Sequence, residues 1–246
     1  MRSSSGSAGV PAGPLPALSV RDLRHRWPRA GHDVLDIPTL EVLPGQAVFL
    51  HGPSGCGKST LLGLLAGVLL PAAGRVEVLG RDWAGLRPAE RDRHRADHLG
   101  VVFQQFNLLP YLGTLDNVLL PCRFSARRRQ QARRDHGSEA EAAAHLLMRM
   151  DLPASLATRR AAELSVGQQQ RVAAARALIG SPEIVIADEP TSALDAALRD
   201  RFMELLLSST REAGCTLVFV SHDERLAAHF DRCESLPGLN RAGAPA

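Results

Sequence analysis

Apolar and polar positions alternate in short runs over the first part of the chain, which is the pattern of half-buried β-strands. Gly and Pro separate these runs, and Pro44-Gly45 is typical of a turn. The pattern therefore predicts a strand-rich first part. The runs are ALSVRDLRHRW, DIPTLEVL, QAVFLHG and GRVEVLG.

A helical periodicity begins at Ser59, directly after the QAVFLHG strand, in the run STLLGLLAGVLL. The next predicted strand is LGVVFQ. Residues 115–180 are then predicted to be entirely helical, with the clearest periodicity in EAAAHLLMRM and SVGQQQRVAAARAL. This stretch indicates a helical insert between two strand-containing parts.

The last part of the chain returns to alternating strands and helices. The predicted elements are the strand EIVIAD, the helix DAALRDRFMELLLSSTREA closed by Gly214, the strand TLVFVSH and the helix ERLAAHF. Four apolar strands end in polar residues, in VFLHGPSG, VVFQQ, IVIADE and LVFVSH. Ligands of an open parallel sheet bind outside the carboxyl ends of its strands. We therefore expect all four endings to point at one bound molecule.

The composition places this chain among soluble α/β proteins. Of its 246 residues, 45% are hydrophobic, 4% aromatic and 22% charged. A net charge of +3, from 29 basic and 26 acidic residues, is too small to indicate nucleic-acid binding. The segments Arg87–His98 and Arg123–Arg134 are locally basic. Solvated faces are the expected interpretation, and contact with lipid head groups or an acidic partner is the alternative.

The cysteine pattern and the hydropathy predict a cytoplasmic chain. Cys56, Cys122, Cys215 and Cys233 form no CxxC pair, which favours a reducing compartment. No apolar run approaches the roughly 18 residues that a membrane span needs, and the start lacks a signal peptide. Residues 1–16 are rich in Ser, Gly, Pro and Ala and are predicted to be a disordered tail. Residues 237–246 are predicted to be a second flexible tail.

A glycine-rich segment between a predicted strand and a predicted helix matches GxxxxGK[ST]. The glycines let backbone N–H groups turn inward, so the loop and the following helix N-terminus attract phosphate. Lys58 is expected to contact the β and γ phosphates, and the Ser59 hydroxyl is expected to bind Mg²⁺. Cys56 is interpreted as a small filler. The predicted phosphate-site residues are Gly52, Pro53, Ser54, Gly55, Cys56, Gly57, Lys58, Ser59 and Thr60.

Polar residues after the other strands supply candidate catalytic groups. Asp188 is expected to bind Mg²⁺ and Glu189 to polarise the attacking water as general base, although the pair could instead cap a helix. Gln104 is a candidate Mg²⁺ ligand or water-orienting amide, and in isolation would be read as a solvated side chain. His222 is expected to contact the γ-phosphate, and a structural histidine is the alternative.

Ser165 and Gln168 are spaced as a capping box at the start of a predicted helix. With this stretch, the motifs together resemble the nucleotide-binding subunit of ABC transporters. GPSGCGKST resembles the Walker A motif, Gln104 the Q-loop, LSVGQQQRVAAARAL the signature, and IVIADEP the Walker B strand. Residues 192–195 (SALD) resemble the D-loop, and His222 the H-loop. The segment VVFQQFNLLPYLGTLDNVLLP is similar to the lipoprotein-release and macrolide-export branch.

The resemblance implies an α/β P-loop NTPase. Its features would be a mainly parallel central sheet, an N-terminal antiparallel β subdomain and a helical subdomain at about residues 115–180. Residues 17–236 would form a single ABC ATPase domain that hydrolyses ATP. Trp27 lies where the family has an aromatic residue that stacks on adenine, with a core tryptophan as the alternative.

The resemblance also implies two partners. Two subunits would bind head to tail, so that Ser165, Gly167 and Gln168 of one copy face the ATP held by the other. The membrane permease would be a separate subunit that docks near residues 104–112 and holds the chain at the cytoplasmic face of the plasma membrane. No nucleic acid is expected. The transported substrate and the direction of transport depend on the permease and are not set by this chain.

One departure and one alternative function accompany this interpretation. Val166 replaces the first glycine of the usual LSGGQ, so this position must be helical or extended, and near-normal function is expected.

The alternative function is that of a soluble ABC ATPase acting on nucleic acid or ribosomes. Members that act on DNA have a long coiled coil, and translation factors have two ATPase domains; neither is found here. A non-transport P-loop kinase is disfavoured by the signature and His222.

Overall fold

The computed structural model describes residues 15–28, 31–192 and 194–242. Most of the predicted N-terminal tail, residues 1–14, lies outside the described residues. The strands are β1 (Leu18–His25), β2 (Leu35–Val42), β3 (Ala47–His51), β4 (Ala73–Val78), β5 (Arg81–Asp82), β6 (Leu99–Val102), β7 (Ile184–Asp188), β8 (Thr216–Ser221) and β9 (Arg232–Ser235). The helices are α1 (Lys58–Leu65), α2 (Pro88–His98), α3 (Thr114–Phe124), α4 (Ala126–His136), α5 (Glu139–Arg149), α6 (Val166–Leu178), α7 (Ala196–Glu212) and α8 (Leu236–Leu239).

The predicted fold class is confirmed by two sheets of different type. Strands β2, β1, β4 and β5 form an antiparallel sheet, and β6, β7, β8, β3 and β9 form a parallel sheet in that order. The carboxyl ends of the parallel strands lie at one edge. The four polar endings that the sequence singles out follow β3, β6, β7 and β8 and therefore share this edge.

The parallel sheet is buried on both faces because side chains alternate along each strand. One face packs against α1 and the antiparallel sheet, through residues such as Val48, Ile186 and Val218. The opposite face packs against the helices that follow, through Phe49, Val185 and Phe219. The sheet is thus the rigid middle layer that positions the loops at its carboxyl edge.

A buried arginine ties the helical part to this sheet. Arg128 of α4 donates hydrogen bonds to Ile179 O at 2.7 Å, Ala177 O at 2.6 Å and Leu99 O at 3.2 Å. Burial lowers the pKa of this guanidinium to about 10. Although Arg128 lies in a segment that was interpreted as a solvated basic face, it is 2% exposed and satisfies carbonyls at the end of α6.

Gly100 allows the end of α6 to approach strand β6 closely. A Cβ built at this position of β6 would lie 2.2 Å from Ala177 O. The end of α6 therefore rests directly on the strand, and its carbonyls are accessible to Arg128.

Several elements differ from their predictions for local physical reasons. Helix α1 ends at Leu65 instead of continuing to Leu70, because Gly67 takes a φ of 65° beneath the Trp83 ring. Residues 151–165 form loops and 3₁₀ turns rather than helix, and Glu224–His229 is a 3₁₀ helix. Strand β9 was not predicted, because its sequence RCES is short and polar.

The beginning of the predicted C-terminal tail is packed rather than free. Asn240 accepts a hydrogen bond from Asp36 N at 2.8 Å and donates one to Val34 O at 3.0 Å. Residues 237–242 thus lie against β2, which corrects the prediction of a flexible tail from residue 237; residues 243–246 lie outside the described ranges. In the part of the chain that the structure describes, none of the helices combines the length and apolarity needed to span a bilayer.

We expect the Arg128→Met variant to lose about 3 kcal/mol of unfolding free energy, because buried carbonyls would be left without donors. Urea denaturation measures this loss. Arg129→Met is the matched control: Arg129 is the exposed neighbour on the same helix, and its replacement should change stability by less than about 0.5 kcal/mol. Equal effects of the two replacements would contradict a tying role for Arg128.

Candidate functional site

The glycine-rich loop leaves β3 and enters α1 with its glycines in conformations that other residues rarely adopt. Gly55 and Gly57 have φ values of 84° and 100°. A Cβ at Gly57 would lie 2.8 Å from Leu35 Cδ2, so this glycine is also needed for packing against β2. The loop thereby presents the N-terminus of α1 toward the sheet edge, where an anion is favoured.

Lys58 folds back across this loop. Its Nζ donates to Gly52 O at 2.8 Å and Pro53 O at 3.0 Å, and the residue is 8% exposed. The same Nζ lies 3.3 Å from Glu189 Oε1. Lys58 is therefore a fixed positive charge between the loop and the carboxylate after β7.

Glu189 is held from two sides. Its Oε1 faces Lys58, and its Oε2 lies 2.9 Å from His222 Nδ1 at the end of β8. Its backbone φ is 42°, a conformation that costs energy for a residue with a Cβ and that recurs at functional sites. Three residues predicted from three different strand ends therefore meet around one carboxylate.

Asp188 and Ser59 form the second polar pair. Burial raises the pKa of the Asp188 carboxyl and the nearby charge of Glu189 adds to this, whereas a hydrogen bond from Ser59 opposes it. The Gln104 side chain lines the same cleft. A hydroxyl, a carboxylate and an amide oxygen are the ligands that suit Mg²⁺, so these residues fit the metal that the sequence predicts.

A cleft of about 410 Å³ joins Lys58, Ser59, Gln104, Asp188 and Glu189, whereas His222 contacts Glu189 from outside its lining. Trp27 lies at its rim with 43% of its surface exposed, and the His25 ring packs edge-on against the indole at 5.3 Å. Trp27 is thus half-exposed beside the phosphate loop, unlike a core tryptophan. The lining residues are Trp27, Val34, Ser54, Gly55, Gly57, Lys58, Ser59, Thr60, Gln104, Asp188 and Glu189.

Some predicted site residues lie outside this cleft. The signature residues Ser165, Gly167 and Gln168 do not line it. The carbonyls of Gly52 and Pro53 instead bind Lys58, and Cys56 lines a neighbouring cavity of about 400 Å³ beside the C-terminal segment. The structure of one copy thus does not bring the signature residues to the cleft.

The predicted capping box is present at the start of α6. Gln168 N donates to Ser165 Oγ at 3.3 Å, and Ser165 N donates to Gln168 Oε1 at 2.9 Å. Val166 is the first helical residue and is 48% exposed. Its backbone is helical, which is one of the two conformations expected for valine at this position.

One residue of the cleft was not predicted. Val34 lines the cleft without any chemical signal in its sequence. Gln170 lies outside the cleft, although its sequence position on α6 gives no sign of burial. It is 0% exposed, and neither end of its amide has a hydrogen-bond partner within the described ranges. It lies one turn after Gly167 on α6, and a Cβ at Gly167 would face Leu194 of the D-loop and Leu198 in the first turn of α7.

Comparisons with known proteins identify the family and the fold. The family model described as ABC transporter matches residues 35–192. The lipoprotein-releasing system ATP-binding protein LolD of Novosphingobium aromaticivorans is 41% identical over 222 residues, covering 88% of this chain and 94% of that protein. The ABC transporter ATP-binding protein YbbA of Escherichia coli K12, itself described as uncharacterised, is 39% identical over 224 residues, covering 89% and 95%.

A solved structure has the same fold. The ATP-binding cassette MJ0796, described as dimeric in a post-hydrolysis state with ADP and Pi, superposes with a TM-score of 0.76. It is 34% identical, with 89% of this chain and 93% of that chain covered.

We expect Gln170→Met to raise the free energy of unfolding by about 1 kcal/mol, because a buried amide without partners is replaced by an apolar side chain of similar shape. The melting temperature would then rise by roughly 2–4 °C, measured by calorimetry. Gln169→Met is the control, since Gln169 Nε2 donates to Leu164 O at 3.0 Å. A lower melting temperature for Gln170→Met would show that the amide is satisfied after all.

Proposed function

The chain belongs to the ABC transporter family as an ATP-binding subunit that hydrolyses ATP, and we propose that two copies close head to tail around two ATP molecules to drive a separate membrane permease. One observation carries the catalytic part of this proposal: the Glu189 carboxylate is held between Lys58 and His222 at the mouth of the phosphate loop.

The phosphate loop would bind the ATP phosphates by backbone N–H groups and the α1 N-terminus. Lys58, already positioned by two carbonyls, would transfer its pairing from Glu189 to the β and γ phosphates. Trp27 would stack on adenine at the rim of the cleft. These contacts orient the γ-phosphate toward the carboxylate.

Glu189 would accept a proton from the attacking water, and His222 would hold the carboxylate and contact the γ-phosphate. Ser59, Asp188 and Gln104 would hold Mg²⁺. The bound ion would neutralise charge on the β and γ phosphates. In the absence of ATP, Lys58 pairs with Glu189. When a phosphate takes the place of Glu189 beside Lys58, the carboxylate would become free to act as a base.

The second copy would complete each site. In one copy the capped N-terminus of α6 is exposed at Ser165 and Val166 and lies away from the cleft. A helix N-terminus presents unpaired N–H groups and partial positive charge, which an opposing γ-phosphate satisfies. Head-to-tail pairing is the arrangement that brings this helix of one copy to the cleft of the other.

The permease would dock in a groove beside β6. This cavity of about 540 Å³ lies between α2, α3 and the loop after Val102, and its apolar lining includes Phe103, Leu120 and Phe124. Phe124 is 78% exposed, and Tyr111 on the neighbouring loop is 68% exposed. Large exposed apolar side chains around a groove mark a protein interface. Through this contact the subunit would lie at the cytoplasmic face of the plasma membrane.

The names of the relatives favour transport over action on nucleic acid or ribosomes. Similarity to LolD adds a more specific proposal, that the complex belongs to the lipoprotein-release and macrolide-export branch. The cargo itself is expected to be set by the permease, since the residues that line the described cleft are those proposed to bind ATP and Mg²⁺.

We expect Glu189→Gln to abolish ATP hydrolysis, because an amide cannot accept the proton, while ATP binding persists and two copies remain associated. Phosphate release and size-exclusion chromatography with ATP and Mg²⁺ measure the two effects. Glu224→Gln is the control, since Glu224 pairs with His51 outside the cleft. Hydrolysis at the unchanged rate in Glu189→Gln would remove Glu189 from the role of base.

We expect Phe124→Asp to prevent co-purification with the permease in detergent, because a charge would be buried in an apolar contact. ATP binding by the isolated subunit should not change. Val68→Asp, which alters an apolar residue that is 67% exposed and outside the groove, should leave co-purification intact. Retention of the permease by Phe124→Asp would place the docking surface elsewhere.

A further inference from the structure

The loop that follows Gln104 has a strained backbone. Phe106 and Asn107 have φ values of 58° and 50°, in the left-handed region. This conformation costs roughly 1–3 kcal/mol for residues other than glycine, and Asn tolerates it better than Phe. Phe106 is 7% exposed and packs into the core. The surrounding structure must therefore hold the loop in this shape.

Arg176 supplies bonds to both strained residues. Its Nη2 donates to Phe106 O at 2.5 Å and its Nη1 donates to Asn107 O at 2.6 Å. The planar guanidinium fits two adjacent carbonyls at once, which a lysine ammonium cannot reproduce in the same geometry. The two hydrogen bonds therefore favour one conformation of the loop, which a positive charge without this geometry would not do.

Burial lowers the pKa of Arg176, and no carboxylate of the described residues offsets this effect. A partly buried cation without a counter-charge is costly unless its donors are satisfied. The two loop carbonyls satisfy them. A favourable helix-end charge alone would need no such burial, since an exposed lysine in the last turn would serve.

Arg176 lies in the last turn of α6, whereas Ser165 caps the first turn. At 1.5 Å per residue, about 16 Å of continuous helix joins the two positions. The helix that presents the signature therefore also carries the arginine that holds the loop after Gln104.

We propose that Arg176 is a positioning residue that fixes the loop after Gln104 to the carboxyl end of helix α6. The proposal rests on the proposed role of Gln104 in holding Mg²⁺. Arg176 and Asn107 also line the groove in which the permease would dock, so an occupant there would lie against this contact.

The first measurement is hydrogen exchange of residues 103–109 in the nucleotide-free subunit. Arg176→Met should accelerate exchange there, because the Phe106 and Asn107 amides lose the conformation in which they bind Phe103 O and Gln105 O. Arg176→Lys, which keeps the charge and is the variant used if the methionine protein does not fold, should accelerate it less. Unchanged exchange in a folded Arg176 variant would overturn the proposal.

The second measurement is the Mg²⁺ concentration that gives half-maximal ATP hydrolysis. Arg176→Met should raise it by about tenfold, as for loss of a group that orients a metal ligand. In the Gln104→Ala background the same change should add nothing, because Arg176 acts through that side chain. Fully independent effects of the two replacements would contradict the positioning role.

Arg211→Met is the matched control. Arg211 lies in the last turn of α7 and donates to His229 O at 3.4 Å, away from the cleft. It should change neither the exchange of residues 103–109 nor the Mg²⁺ dependence. If Gln104→Ala itself leaves the Mg²⁺ dependence unchanged, the proposed metal role of Gln104 fails, whereas the exchange result still decides whether Arg176 holds the loop.

Discussion

The parallel alignment of β3, β6, β7 and β8 is the constraint on which the site depends. Because the strands run in the same direction, the residues that follow each of them emerge at one edge of the sheet. Lys58 and His222, which are far apart in sequence, are thereby both brought into contact with the Glu189 carboxylate. The strands are buried on both faces, so they cannot tilt independently, and the spacing of the polar side chains is fixed by the core.

The site contains three residues whose burial or backbone conformation would be unfavourable without their neighbours. Lys58 is nearly buried, Glu189 has a positive φ, and Asp188 has a carboxyl whose pKa is raised by burial. Each would be costly alone, but neighbouring groups offset the cost. The loop carbonyls accept hydrogen bonds from Lys58, Glu189 N donates to Val220 O at 2.9 Å, and the Ser59 hydroxyl bonds the Asp188 carboxyl. Groups held in this way need little rearrangement when a phosphate replaces one of the partners.

Local patterns predicted the parts of the fold that have strong local signals. The phosphate loop, the strand ending in Asp188 and the capping box at Ser165 all rely on residues adjacent in sequence. Features made by distant contacts were missed. Strand β9 has a polar sequence and forms only because β3 offers an unpaired edge, and Asn240 binds β2 across about 200 residues of chain. Arg128 and Gln170 look like surface residues because their burial depends on which helix packs over them.

Helix α6, which carries the signature residues at its N-terminus, is fixed at its opposite end. Ser165 begins a helix whose other end rests on β6 through Gly100 and is tied to α4 through Arg128. A helix anchored at its carboxyl end cannot swing its N-terminus into the cleft of its own chain without breaking these contacts. The exposed N–H groups near Ser165 could therefore reach a phosphate only if another molecule brought it to them, as the proposed pairing of two copies would. The anchoring that fixes the fold of one copy thus favours a catalytic site shared between two.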